Sequence, residues 1–226
     1  MPRREFVAAL AERQRLCVAS KCATSLRIQR PATDTYTSLV SRASTNALYA
    51  QLCLALFLTV CIALHPGIVL KWNEAGLSNY GVHLKTATPY SLAFGGCAAF
   101  TFASARRVGG ATRSRSFLRA ILYAYVVLNV LTLVSTYGYT LNAPLKHVHM
   151  VVGIVVMVFE PLTSLWLYRL GGPSAGSRLW LIGEMVGLVL AGVDFAALLH
   201  ILFLAQLFTG VSFGVLLVRA VRRIER

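Results

Sequence analysis

Histidine and acidic side chains are the residues of this sequence that could bind a metal ion or transfer protons. Six of them fall near one end of the predicted helices: His65, His83, His147, His149, Asp194 and His200. Together they predict a polar site on the external side of the protein, and zinc is the metal that such a ligand set would hold. No pair has the HExxH spacing, and His147 and His149 would point about 200° apart on a helix. The alternative interpretation is contact between these side chains and lipid headgroups, which needs no metal.

Three acidic residues fall inside apolar segments: Glu160, Glu184 and Asp194. An ionised group is costly in lipid, so each of them should face the interior of a helix bundle or a water-filled cavity. The acids therefore predict either a proton or cation path or structural contacts with polar side chains of neighbouring helices. Suitable polar partners are Asn129, Tyr125 and Gln206.

The sequence lacks the motifs of common cofactor enzymes. It contains no Walker motif, no dinucleotide-binding fingerprint and no GxSxG element. None of the four lysines falls in the middle of an apolar segment, where a retinal protein needs one. The histidines lie at the helix ends and not at membrane depth, where paired haem ligands would be. We therefore expect no catalytic residue set and no cofactor, with zinc as the alternative.

The composition predicts an all-α, polytopic membrane protein. Of the 226 residues, 57% are hydrophobic and only 13% are charged, and the mean hydropathy is +0.65. A soluble domain has about a quarter of its residues charged, so this chain has too little polar surface for one. Apolar runs of about 20 residues recur, and each can cross a bilayer as a helix. The net charge of +14 comes without a soluble basic domain, so we expect membrane lipids as partners and no nucleic acid.

Six apolar segments predict a bundle of six transmembrane helices between residues 45 and 220. They cover about 47–69, 89–105, 117–137, 147–168, 179–198 and 201–218. The last two share one apolar stretch that would be about 60 Å long as a helix, so it should fold back near His200. Residues 1–44 predict a basic cytoplasmic arm, either flexible or an interfacial helix, and residues 219–226 predict a basic tail.

Lysine and arginine predict the orientation of these segments. Nineteen of the 22 fall on one side: in the arm, in 106–119, around 169–178 and in the tail. Only Lys71, Lys85 and Lys146 fall on the other side. Because cytoplasmic loops are enriched in these residues, we expect a multi-pass protein of the cell (inner) membrane with both termini in the cytoplasm.

Small residues predict close approach between helices. They are Gly95, Gly96, Ala99 and Ala103 in the second segment, and Gly187 and Ala191 in the fifth. Gly187 and Ala191 share a helical face with Glu184 and Asp194. Such faces allow another helix to approach, either within the bundle or in a homo- or hetero-oligomer.

The loop after the first segment carries a short motif. It reads Asn73-Glu74-Ala75-Gly76-Leu77-Ser78-Asn79-Tyr80-Gly81, followed by Thr86-Ala87-Thr88-Pro89-Tyr90. With the six-segment layout and the histidines at 147 and 149, this loop resembles the six-span families around DRAM and Sfk-type proteins and their uncharacterised bacterial relatives. The resemblance implies a non-enzymatic six-helix protein linked to lipid organisation or membrane trafficking.

Three functions are open from the sequence. The leading hypothesis is a non-catalytic membrane protein that binds or organises lipids, or that serves as a subunit of a membrane complex. The second is a membrane-embedded, metal-dependent lipid hydrolase with an external His/Asp site. The third is a small-solute or proton-coupled transporter that uses Glu160, Glu184 and Asp194, although no clear inverted repeat relates the two halves of the chain.

Overall fold

The computed structural model describes residues 32–70, 76–138, 143–196 and 201–226, with side chains from residue 43 onward except at 70 and 143. Within these ranges the backbone is helical apart from short turns, and no strand is present. The all-α prediction is confirmed for this part of the chain. Most of the predicted arm, Glu74 and His200 lie outside the described residues. The chain divides into two compact units, Met1–Leu39 and Val40–Arg226, and the features below belong to the second.

The helices follow one another with short connections. In chain order they are α1 (Ala32–Leu64), α2 (Gly67–Leu70), the 3-10 turn Gly76–Ser78, α3 (Asn79–Val82), α4 (Leu84–Arg107), α5 (Arg113–Gly138), α6 (Ala143–Gly171), α7 (Ala175–Phe195) and α8 (Leu202–Glu225). Each long helix overlaps one predicted segment. One difference is that α1 begins at Ala32, within the residues expected to form the arm.

Glycine and serine set the breaks between long helices. Gly110 and Gly172 have φ angles of +106° and +88°, which other residues rarely adopt, and they follow α4 and α6 respectively. The Ser174 side chain accepts a hydrogen bond from the Ser177 backbone N–H over 3.1 Å, which caps the start of α7. Positive-φ glycines therefore follow α4 and α6, and at the α6–α7 turn the Ser174 cap also begins the next helix.

Four of these helices are long and apolar enough to cross a membrane. By length and composition they are Ala43–Leu64, Arg113–Gly138, Pro144–Gly171 and Leu202–Glu225. They correspond to the first, third, fourth and sixth predicted segments. The helices α4 and α7 coincide with the other two and contain 24 and 21 residues, but they are not among the four. The finding fits a multi-pass helical membrane protein.

Large apolar side chains cover the outward faces of the long helices. Val134, Leu162 and Val189 have exposed fractions of 63%, 65% and 64%. A soluble protein rarely exposes continuous apolar surface of this kind, whereas lipid tails solvate it without cost. The interior near the arginine-rich ends packs apolar side chains of α5, α6 and α8, with Leu118, Leu167 and Leu217 fully buried or nearly so.

Glycines bring α1 close to α4 and α8. A Cβ on Gly96 would overlap the Cys53 thiol, and a Cβ on Gly214 would overlap the Gln51 side chain. The small-residue prediction for the second segment therefore holds at Gly96. Gly95 makes no such contact within the described residues, because a Cβ there would meet no atom within 4 Å, and contact in an oligomer stays a prediction for this residue. The two neighbours differ because each residue turns the helix by about 100°.

The contact between α7 and α8 is also built on small residues. A Cβ on Gly187 would lie 2.9 Å from the Ala205 carbonyl oxygen, and one on Gly183 would lie 2.6 Å from the Ser212 hydroxyl. Glu184, Gly187 and Ala191 are all buried. The predicted shared face of the fifth segment is thus confirmed as a helix–helix contact.

Candidate binding cavity

A cavity of about 430 Å³ lies between the long helices. Its wall on α6 consists of Lys146, His149, Met150, Gly153, Ile154, Val156, Met157 and Glu160. This spacing of three and four residues is one face of a helix, and 14 residues of helix extend about 21 Å. α5 adds Tyr125, Leu128, Asn129 and Thr132, and α8 adds Leu202, Gln206, Thr209 and Gly210. The cavity is therefore long and follows the helix axes, with mainly apolar walls.

The deep end of the cavity is polar. Glu160 lines it with an exposed fraction of only 5%, and the Thr209 hydroxyl lies close to this carboxyl. The Asn129 side-chain amide donates to the Tyr125 carbonyl over 2.8 Å, which fixes the amide on the α5 side. Pro161 has no N–H, so the Met157 carbonyl loses its helical donor beside Glu160. Groups that can form hydrogen bonds are therefore concentrated at the base of the cavity.

Charged and polar groups surround the other end, which we call the mouth. Lys146, His149, Asp194 and Gln206 all line the cavity there. The His149 Nδ1 lies 2.9 Å from the Ser135 hydroxyl. One Asp194 carboxylate oxygen accepts a hydrogen bond from the Ile201 backbone N–H, at the residue that precedes α8. The mouth thus carries a cationic side chain on α6, Lys146, and an anionic side chain on α7, Asp194.

The loop motif at 76–81 lies against the mouth and is held there by α8. The Gln206 side-chain oxygen accepts a hydrogen bond from the Leu77 N–H over 2.7 Å. Gly76 has a φ angle of +58°, and a Cβ on it would overlap Gln206. Ser78 is buried and lines the cavity. Asn79 begins α3 and is half-buried.

Tyr80 and Gly81 pack the same loop against neighbouring helices. Tyr80 is fully buried and packs edge-on against Phe203, with ring centroids 6.4 Å apart. Desolvation, with a smaller contribution from the Cys61 thiol, raises the pKa of Tyr80 to about 12, so its hydroxyl stays neutral. A Cβ on Gly81 would overlap Thr136 and lie 2.8 Å from the Tyr90 ring. The loop motif is therefore closely packed where it covers the mouth of the cavity.

The structure separates the six predicted residues of the external polar site. His149 and Asp194 line the cavity, whereas His65 and His83 form a ring pair at the end of α1, with centroids 4.8 Å apart. His147 is exposed on α6 and does not line the cavity, as its angular offset from His149 predicts. His200 lies outside the described residues. In the described ranges no three His, Cys, Asp or Glu side chains form a group that could hold a metal ion.

Glu184 lies apart from the cavity, between α7 and α8. Its exposed fraction is 0%, and neither carboxyl oxygen has a hydrogen-bond partner in the part of the chain that the structure describes. It is close enough to Glu160 for the two carboxyls to interact electrostatically. Of the three predicted acids, Glu160 therefore lies at the base of the cavity, Glu184 in the contact between α7 and α8, and Asp194 at the mouth.

Sequence reasoning missed Gly153 and Gly210, which line the cavity without filling it. A Cβ on either glycine would meet no atom within 4 Å. A pattern in the α6 sequence could have identified Gly153, because Lys146, His149, Gly153 and Glu160 recur at helical spacing on one face.

Comparisons with protein-family models, with curated proteins and with solved structures give no match. The likeness of the loop to the DRAM and Sfk-type families stays a prediction.

Proposed function

We propose that the protein is a non-catalytic membrane protein that binds a lipid by inserting one acyl chain into the cavity. Its headgroup lies at the mouth, beside His149 and Asp194. In this proposal α4 and α7 complete a bundle of six spans, and both termini lie in the cytoplasm of the cell that carries the protein in its inner membrane. Any partner subunit would meet the outward helix faces.

The cavity itself is the observation that carries the proposal. Its 430 Å³ falls within the range of about 300–1,000 Å³ that is typical of ligand pockets. Met150 and Ile154 line it and also have exposed fractions of 45% and 43%, so the cavity opens sideways along α6. In a bilayer that opening faces lipid tails. An elongated apolar space with a polar mouth matches a single chain attached to a polar head.

The convergence of the arginine-bearing ends supports the proposed topology. The Arg115 guanidinium donates to the Ile224 carbonyl over 3.2 Å, and the Glu225 carboxylate accepts from the Ser44 N–H over 2.8 Å. The Arg219 guanidinium donates to the Ser174 hydroxyl over 3.0 Å. These contacts join Ser44 in the interior of α1, the first turn of α5, the α6–α7 turn and the end of α8. Such an arginine-rich end is what the positive-inside rule expects on the cytoplasmic side.

Filling the cavity tests the proposal. We expect Gly153→Leu to reduce binding of a fluorescent fatty acid or lysolipid by about tenfold or more, because the added side chain occupies the volume of several methylenes. The measurement is a fluorescence titration of purified protein in detergent micelles or nanodiscs. The matched control is Gly192→Leu on α7, which adds the same side chain where a Cβ meets no atom within 4 Å and which does not line this cavity. Equal binding by both variants and the wild-type protein would refute the proposal.

A small-solute or proton-coupled transporter is the second candidate. It is favoured by the position of Glu160, a buried carboxyl that faces the cavity with Glu184 within electrostatic reach. A transporter should make proteoliposomes take up protons after a pH jump, and Glu160→Gln should reduce this uptake to the rate of protein-free vesicles. Glu225→Gln is the control, because a glutamine keeps the oxygen that accepts from Ser44. The lipid-binding proposal instead expects no uptake by the wild-type protein.

A further inference from the structure

Three arginines converge on the turn between α6 and α7. We call this group the arginine turn: the turn residues 171–174 with Arg178 of α7 and Arg219 and Arg223 of α8. It lies at the arginine-bearing end of the bundle, whereas the mouth of the cavity is formed by the first turns of α6 and the last residues of α7. The two sites therefore have no residue in common.

The backbone of the turn creates the space for one guanidinium. Gly172 has a φ angle of +88°, and a Cβ on it would overlap the Arg223 guanidinium. The absence of a side chain at Gly172 thus lets Arg223 lie directly over the turn. Arg219, one helical turn earlier on α8, donates to the Ser174 hydroxyl over 3.0 Å. The Arg178 side chain, in the first turn of α7, donates to the Tyr168 hydroxyl of α6 over 3.4 Å.

This positive charge is not neutralised within the described residues. None of the three guanidinium groups pairs with a carboxylate there, and the hydrogen bonds of Arg178 and Arg219 use neutral hydroxyls. Glu225, the acid on the same end of α8, accepts from the Ser44 N–H. The backbone N–H groups of Ala175 and Gly176, in the first turn of α7, have no acceptor in the described ranges either, and they add partial positive charge. The turn therefore offers several donors and about three positive charges to one anion.

We propose that the arginine turn binds the phosphate of an anionic phospholipid. Guanidinium groups bind phosphate oxygens through paired, charge-assisted hydrogen bonds, and clusters of arginine at a membrane surface select anionic headgroups. The apolar side chains that follow favour a lipid over a free anion. Leu179 and Ile182 of α7 have exposed fractions of 65% and 59% directly beyond Arg178. Acyl chains can lie along them while the phosphate is held at the turn.

Lipid titration followed by native mass spectrometry tests this site. Full-length protein in detergent is titrated with phosphatidylglycerol, and the fraction that retains one lipid is measured. The test variant is Arg219→Gln with Arg223→Gln. The control is Arg222→Gln with Arg226→Gln, which removes the same charge from the same end of the chain. Arg222 and Arg226 are exposed and make no hydrogen bond to the turn. We expect the test variant to bind about tenfold more weakly than the control, because it loses charge-assisted hydrogen bonds as well as charge.

Further arms of the experiment identify the ligand. Phosphatidylcholine should bind more weakly than phosphatidylglycerol, and millimolar inorganic phosphate should not displace the lipid. If the two double variants bind equally well, or if inorganic phosphate competes fully, the proposal is wrong. Should the test variant fail to fold, Arg178→Gln replaces it, with Arg222→Gln as its control. The difference between the test and control variants should persist in the Gly153→Leu background, where the cavity is filled, so failure here is distinguishable from failure of the cavity proposal.

Discussion

Gly187 and Gly192 lie five residues apart on α7 and have opposite surroundings. A Cβ on Gly187 would lie 2.9 Å from both the Ala205 carbonyl oxygen and the Thr209 backbone nitrogen. Because those are backbone atoms of a packed helix, they cannot rotate away as a flexible side chain could. A Cβ on Gly192 would meet no atom within 4 Å. Side-chain volume at residue 187 therefore decides how closely α7 and α8 approach.

We expect Gly187→Ala to lower the free energy of unfolding by about 1–3 kcal/mol, the usual cost of an additional methyl group in a packed core. Gly192→Ala, the matched control, gains the same helix propensity without the close contact, so it should leave the free energy of unfolding unchanged or raise it by up to about 1 kcal/mol. The measurement is unfolding of the purified protein in detergent, followed by helical circular dichroism. An equal effect of both substitutions would contradict the close contact between α7 and α8.

At the scale of elements, the sequence predicts most helices but not their contacts. Apolar runs of membrane length locate α5, α6 and α8, since run length depends only on neighbouring residues. The α6 face of the cavity is also predictable, because its residues recur at helical spacing. The pairing of His65 with His83 is not, because it depends on how the chain folds between α1 and α4. Nor can spacing distinguish the packed Gly96 from the outward-facing Gly95 without knowledge of the neighbouring helix.

The surroundings of the acidic residues are likewise only partly predictable from the sequence. Burial of Glu160 and Glu184 follows from the cost of charge in lipid and was predicted. That Glu160 lines the cavity and Glu184 does not could not be predicted, because both glutamates lie on faces with small or polar neighbours. The shared contact of Gln206 with the loop at Leu77 joins residues 129 positions apart. Such a contact leaves no local pattern in the sequence.

At the scale of the whole molecule, the arginine-bearing ends should face the cytoplasm. We expect a membrane-impermeant maleimide added outside intact cells to label a His83→Cys variant and not an Ala111→Cys variant. Both residues are exposed and lie near opposite ends of α4. The parent protein gives the background from the native cysteines. Labelling at position 111 without labelling at 83 would invert the proposed orientation and place the arginine turn outside.

The lateral opening at Met150 and Ile154 has a consequence for how occupancy is controlled. Entry through the covered mouth would require the hydrogen bond between Gln206 and Leu77 to break, whereas entry between the exposed side chains of α6 breaks none. A ligand that takes the second route partitions into the bilayer first. Saturation would then follow its mole fraction among the surrounding lipids, and dilution of the aqueous phase would leave the bound fraction unchanged.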